Sequence, residues 1–128
     1  MYSVKIRDHI MIAHSLHHEG FGVASHLHGA TYIIDVTFSS SELNDMNVVI
    51  DIGVAAHILK RIVTALNYKN LDDLEEMKGK ITTTEFLAHF IHQKVSLDPS
   101  LKFKGDLKID LGESHIAWAS YAAHIDTL

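Results

Sequence analysis

Cysteine is absent from the 128-residue chain. That removes a disulfide framework, a thiolate metal site and a cysteine nucleophile together. Proline occurs once, at Pro99, so no proline-rich linker divides the chain. No apolar run approaches the roughly 20 residues that cross a bilayer as a helix. Positive charge is in deficit, with 11 Lys and Arg against 16 Asp and Glu and a formal charge of −5. No Lys/Arg cluster offsets that balance, which argues against a nucleic-acid partner. Residues Met1 to Asp8 lack the architecture of a secretory signal, and a cytoplasmic location is the expectation. Nothing here calls for a membrane partner.

What remains reads as one folded domain over residues 1–128. Apolar residues make up 47% of the chain, enough for a core, and charged residues only 21%, too few for a disordered segment. The length leaves no room for two ordinary domains. Histidine is the excess, with 11 copies. His57, His89 and His92 sit on helical stretches and read as surface residues. The run His14, His17, His18, His26, His28 is denser and calls for a separate account.

Alternation predicts a strand over Val4–His14, with Val4, Ile6, Ile10, Ile12 and His14 on one face. It returns over His26–Phe38, where His28, Ala30, Tyr32, Ile34, Val36 and Phe38 share a face rich in β-branched and aromatic residues. The two should pair antiparallel. Asp51 then opens a helix to about Leu66, carried by Val54, Ile58, Leu59, Ile62, Val63 and Leu66. A second helix starts in Thr82–Thr83–Thr84–Glu85, where Thr82 and Glu85 have capping-box spacing. Its buried side is Leu87, Phe90, Ile91 and Val95. Leu107, Ile109, Leu111, Glu113 and His115 share one face of a third strand, and Ile116–Ile125 forms a fourth. The order ββααββ gives an α+β domain, a four-stranded antiparallel sheet with two helices on one face. Such a small sheet has edges that a neighbouring copy can pair, so a homo-oligomer is expected.

Two constellations carry chemistry. His26 and His28, two apart on a strand, project to one side, and His14 ends the neighbouring strand. Three converging imidazoles suit zinc, which accepts neutral histidine nitrogens and keeps a fourth position open in catalytic sites. HxH pairs also arise by chance in a histidine-rich chain. Glu113 and His115 form the second constellation. A carboxylate on an apolar strand face needs a partner. That partner is a backbone N–H, an arginine, or the amidine-like edge of a ligand. His115 is open to three roles: metal ligand, acid/base, or filler of the rim.

The motifs together resemble the 6-pyruvoyl- and 6-carboxy-tetrahydropterin synthases. Ile12–Ala13–His14 resembles that family's Ala-Ala-His. Leu27–His28–Gly29–Ala30–Thr31–Tyr32 resembles Leu-His-Gly-His-x-Tyr, and Val49–Ile50–Asp51–Ile52 its Val-x-Asp-Phe. Leu66–Asn67–Tyr68–Lys69–Asn70–Leu71 is similar to Leu-Asp-His-x-x-Leu. Thr83–Thr84–Glu85–Phe86–Leu87–Ala88 is similar to Thr-x-Glu-Asn-Leu-Ala, and Gly112–Glu113–Ser114 falls at the pterin-anchoring Glu-Thr. The resemblance implies a tunnelling fold, sheets joined into barrels, active sites between subunits, a Zn2+ cofactor and a small pterin-like substrate. It assigns Glu113, Thr83 and Glu85 to substrate binding. It assigns His14 and His28 to the metal, with the third ligand falling on Ala30. That third place then goes to His26, His115 or water. The family's cysteine has no counterpart near Ala24 and Ser25. Its catalytic Asp-His pair is matched by Asn67 and Tyr68, which cannot form the same relay, since a tyrosine with pKa near 10 is a poor base. A related but non-standard reaction follows, with a non-catalytic pterin- or purine-like binding module as the alternative.

Overall fold

A computed structural model describes all 128 residues. The sheet is a meander in the order β1 (Tyr2–His14), β2 (His28–Ser40), β3 (Lys104–Ser114), β4 (Ala117–Asp126). Every neighbouring pair is antiparallel. Between β2 and β3 the chain forms α1 (Ile52–Leu66) and α2 (Thr84–Ser96). Helix α1 lies over β1, and α2 over β3 and β4. The expected ββααββ order and antiparallel sheet are both present.

Period 2 explains the strands. Ile10 and Ile12 on β1 are buried, as are Tyr32, Ile34, Val36 and Phe38 on β2 and Leu107, Ile109 and Leu111 on β3. Period 3.6 explains α1, whose Ala55, Ile58, Leu59, Ile62, Val63 and Leu66 face them. Burying a large aliphatic side chain stabilises by about 1.5–3 kcal/mol, so this shared core holds the layers together. Asp51 caps α1, its carboxylate accepting from Val54 N at 3.1 Å. Leu66 is the last helical residue, and Tyr68 then turns with φ 61.

Several expected details change. Strand β2 begins at His28, because residues Glu19–Ser25 form 3-10 turns and His26 is their C-terminal cap. His26 and His28 are therefore not two members of one strand. The capping box shifts by one residue: Thr83 caps α2, accepting from Phe86 N at 3.1 Å, and Thr82 is left free for another partner. His92 is not a surface residue. It is buried between α2 and the sheet, with Nε2 3.1 Å from the Leu107 carbonyl and its ring against Tyr121. His115 lies in the tight turn between β3 and β4 and is exposed.

The segment after α1 covers part of the free edge of β1. Met11 N donates to Asn67 Oδ1 at 2.9 Å, Tyr68 N to the Met11 carbonyl at 2.7 Å, and Ala13 N to the Lys69 carbonyl at 3.0 Å. Asn70 bridges to Ala13. The N-terminal half of β1 and the outer edge of β4 have no strand beside them.

Candidate functional site

The register of β1 and β2 makes His14 and His28 direct cross-strand partners. Their rings meet edge to face, centroids 4.6 Å apart. His14 is buried, at 3% exposure, and His28 half-buried. Each ring has its Nδ1 engaged. His28 Nδ1 lies 2.8 Å from the His26 carbonyl. A carbonyl only accepts, so His28 Nδ1 carries a proton, which in a neutral ring leaves the lone pair on Nε2. His14 Nδ1 lies 3.0 Å from Thr82 Oγ1. Burial, reinforced by the neighbouring His28, holds the His14 pKa below the ordinary 6.5. The charge of Asp72, a hydrogen bond to the Thr82 backbone and the charge of Glu113 act in the opposite direction on His14.

Imidazole nitrogens held side by side are the donor chemistry zinc takes. The fit extends to two ligands. No group of three or more His, Asp or Glu side chains is placed to hold a metal ion. Ala30, two residues beyond His28 and opposite Ile12, offers only a methyl group. His26 and His115 are both exposed, on separate turns, and neither is gathered with the pair. Asp72 is committed locally, accepting from Ser15 N at 3.2 Å with His17 Nε2 3.6 Å away.

Glu113 occupies a bulge: Gly112 pairs with Trp118 and Ser114 with Ala117, leaving Glu113 without a cross-strand partner. A bulge re-aims a side chain. Here Glu113 ends the run of Leu107, Ile109 and Leu111 as an exposed side chain and not a buried one. Glu113 is exposed and lines a cleft of about 280 Å³ with Thr84, Glu85 and Trp118. The largely apolar surroundings expected from the strand alternation are not found, since Glu113 is exposed. None of the chain's ion pairs involves Glu113. Tyr32, buried on β2, has its hydroxyl pKa pushed up by burial. Thr84 partly opposes that shift, and the charges of Glu113 and Glu85 add to it. The Trp118 ring lies against Gly112, where a Cβ would fall 2.7 Å from ring carbons, so only glycine admits the indole there. A larger hollow of about 570 Å³ lies at the other end of the sheet, between the Ser39–Asn44 loop and β3, far from the histidine pair.

The remaining site candidates are placed as follows. Thr83 is used as the α2 cap, and Glu85 is exposed on the first turn of that helix. Asn67 spends its side-chain oxygen on Met11 N. Tyr68 is 79% exposed beside it. Thr82, Asp72 and Tyr32 were not singled out by the sequence as members of the site. The threonine run announced a helix start, and only the one-residue placement of the cap shows which hydroxyl is left for His14.

The family model for 6-pyruvoyl tetrahydropterin synthase matches residues 3–124. The chain belongs to this family. It is 36% identical over 92 residues to a 6-pyruvoyl tetrahydrobiopterin synthase of Dictyostelium discoideum, covering 70% of this chain and 67% of that one. It is 32% identical over 93 residues to a 6-carboxy-5,6,7,8-tetrahydropterin synthase of Bacillus subtilis (strain 168), covering 68% of this chain and 60% of that one. The match therefore spans less than two thirds of the Bacillus relative. Among solved structures, the 6-pyruvoyl tetrahydropterin synthase of Caenorhabditis elegans superposes with a TM-score of 0.81 at 22% identity, covering 95% of both chains. The Plasmodium falciparum protein of that name gives 0.74 at 17%, covering 96% of this chain and 99% of that one. At those identities the likeness establishes the tunnelling fold alone. No helix is long and apolar enough to cross a membrane.

Proposed function

We propose that this chain is a zinc-dependent, pterin-type enzyme of lyase ancestry whose reaction differs from that of the ordinary synthases. The observation that carries it is the pairing of two oriented imidazoles, His14 and His28, near an unpartnered carboxylate, Glu113. Zinc held there would supply Lewis acidity toward a side-chain oxygen of the ligand.

The chain's own residues account for recognition. A carboxylate accepts two parallel N–H groups, and the amino and ring N–H edge of a pterin presents that pair. Glu113, exposed and free of cations, is available for it. Glu85 and Thr84 flank the same cleft. Thr83 serves by holding the helix start that presents them. Proton handling falls to Tyr68 or a nearby histidine. Asn67 takes part only by fixing the turn that carries Tyr68, because its oxygen already accepts from Met11 N. Subunits assemble through the free sheet edges into a homo-oligomer with sites between subunits, in the cytoplasm.

The binding-module reading is favoured by one observation: the side chain at Asn67 is structural and Tyr68 points to solvent, so the relay positions hold no base. Calorimetry and turnover separate the readings. Zinc-loaded protein should bind a pterin, and Glu113→Gln should fold normally yet lose about ten-fold or more in affinity, since charge-assisted hydrogen bonds contribute about 1.5–3 kcal/mol each. Conversion of some member of a pterin panel supports the enzyme. Binding without conversion supports the module. No heat with any pterin or guanine-like ligand overturns both.

A further inference from the structure

We propose that Trp118 is the stacking wall of the Glu113 cleft and selects ligands whose rings are flat and aromatic. The inference rests on the pterin reading above and deepens it, and it requires no metal.

Trp118 is the one tryptophan of the chain, and it remains 47% exposed. On β4 it is the cross-strand partner of Gly112, the residue before Glu113. A Cβ at Gly112 would fall 2.7, 2.7 and 2.8 Å from three adjacent carbons of the indole's six-membered ring, Cη2, Cζ2 and Cζ3. A point beyond the ring edge would lie clearly closer to one carbon than to its neighbours. It is therefore the face of the indole that lies on Gly112. Covering a strand glycine is a structural role, and it uses one face of the ring. With half of the side chain exposed, the second face is open. Trp118 lines the same cleft as Glu113, Thr84 and Glu85. The other lining residues, Ala117, Ala119 and Ser120, bring no aromatic group, so a stack in this cleft falls to Trp118.

A carboxylate and an aromatic face side by side read two different features of a heterocycle. Glu113 accepts from a paired amino and ring N–H edge. That edge is the same in a pterin and in its tetrahydro form. The indole reads flatness, since aromatic rings gain most when stacked in offset, parallel contact. Reduction places tetrahedral carbons in the second ring of the ligand and spoils that contact. Losing an aromatic stack weakens binding of a planar base roughly 5–150-fold. Glu113 thus sets the edge that binds, and Trp118 sets the oxidation state of the ring that binds best.

The test titrates the full-length chain by calorimetry with pterin and, without oxygen, with tetrahydropterin. Pterin should bind about 10-fold or more tightly than the reduced form. Trp118→Leu should lose that factor for pterin and little for tetrahydropterin, and Trp118→Phe should keep most of it. The parent's single indole gives a second readout. Guanosine carries the same N–H edge and does not absorb tryptophan emission, so its binding should shield the indole from acrylamide quenching. A folded Trp118→Leu with parental pterin affinity overturns the proposal and leaves the pterin reading standing. So does guanosine that releases heat without shielding the indole, a result that holds even should the leucine variant fail to fold. An indole already shielded in the ligand-free protein, and opened by dilution, is covered by a neighbouring subunit and also overturns the proposal. No heat with any of the three ligands removes the reading and the proposal together.

Discussion

Ala30 is the position at which a single substitution should complete the metal site. It lies on β2 two residues from His28, half-buried and opposite Ile12, on the strand face that His28 and Tyr32 share. Two strand residues span roughly 6.6 Å, and an imidazole is long enough to lean from there toward the space beside His14 and His28. Complete four-ligand zinc sites in small peptides bind with about 10–16 kcal/mol. Divided evenly, one ligand is worth about 2.5–4 kcal/mol, or roughly 10²–10³-fold in affinity. Ala30 packs against the core only in part, which leaves the larger side chain a solvent-facing side on which to extend. Ala30→His should therefore bind zinc about 10²–10³-fold more tightly than the parent, measured against a chromophoric chelator. Cobalt substitution should change from a weakly absorbing to a strongly absorbing, tetrahedral spectrum. A folded Ala30→His variant with parental zinc affinity would refute the reasoning, since it would show that the face of β2 does not converge on the histidine pair or that a third ligand is already present.

Stability of the zinc-free protein should fall in two steps on acidification. Burial depresses His14 and His92 below 6.5 in the folded state, so the unfolded chain takes up those protons first and stability declines as pH falls from about 6.5. Asp35, lowered chiefly by its hydrogen bonds from Arg7 at 2.6 and 3.0 Å, contributes stability above about 3.8 that is lost as pH falls further through its folded value. Urea midpoints across pH check both steps, and His92→Gln, which keeps a donor for the Leu107 carbonyl, should flatten the upper one. Light scattering at micromolar concentration should report a homo-oligomer, because β4 and half of β1 have open edges; a monomer alone would contradict the shared site. Turnover of dihydroneopterin triphosphate should be far below the usual 1–10³ per second of enzymes, because Asn67 and Tyr68 supply no oriented base.

Period and punctuation made the fold readable. Ile10, Ile12 and Tyr32 through Phe38 alternate, Ala55 through Leu66 follows the helical repeat, and Asp51 is a cap with its acceptor in place. The site was legible where a motif coincided with a cross-strand pair, as at His14 and His28. It was not legible where one residue of register decides the role. The run Thr82–Glu85 looks like a capping box from spacing, yet the cap falls on Thr83, and Thr82 turns to His14. His26 shares strand parity with His28 on paper, but the 3-10 turns end there. Glu113 keeps the alternation of β3 in sequence, but it falls at the irregularity after Gly112 and is exposed. His92 looks like any helical histidine, and only packing against Leu107 and Tyr121 reveals its burial. Caps, bulges and strand starts depend on tertiary partners that a local pattern does not contain.

Zinc stoichiometry of His14→Ala and His28→Ala tests the central claim most directly. The parent, dialysed against trace zinc and analysed by plasma emission, should carry the metal. Each alanine variant should lose it while retaining its far-ultraviolet circular dichroism and oligomeric state. Full zinc retention in both variants, or a parent that takes up no zinc at micromolar metal, would contradict the account.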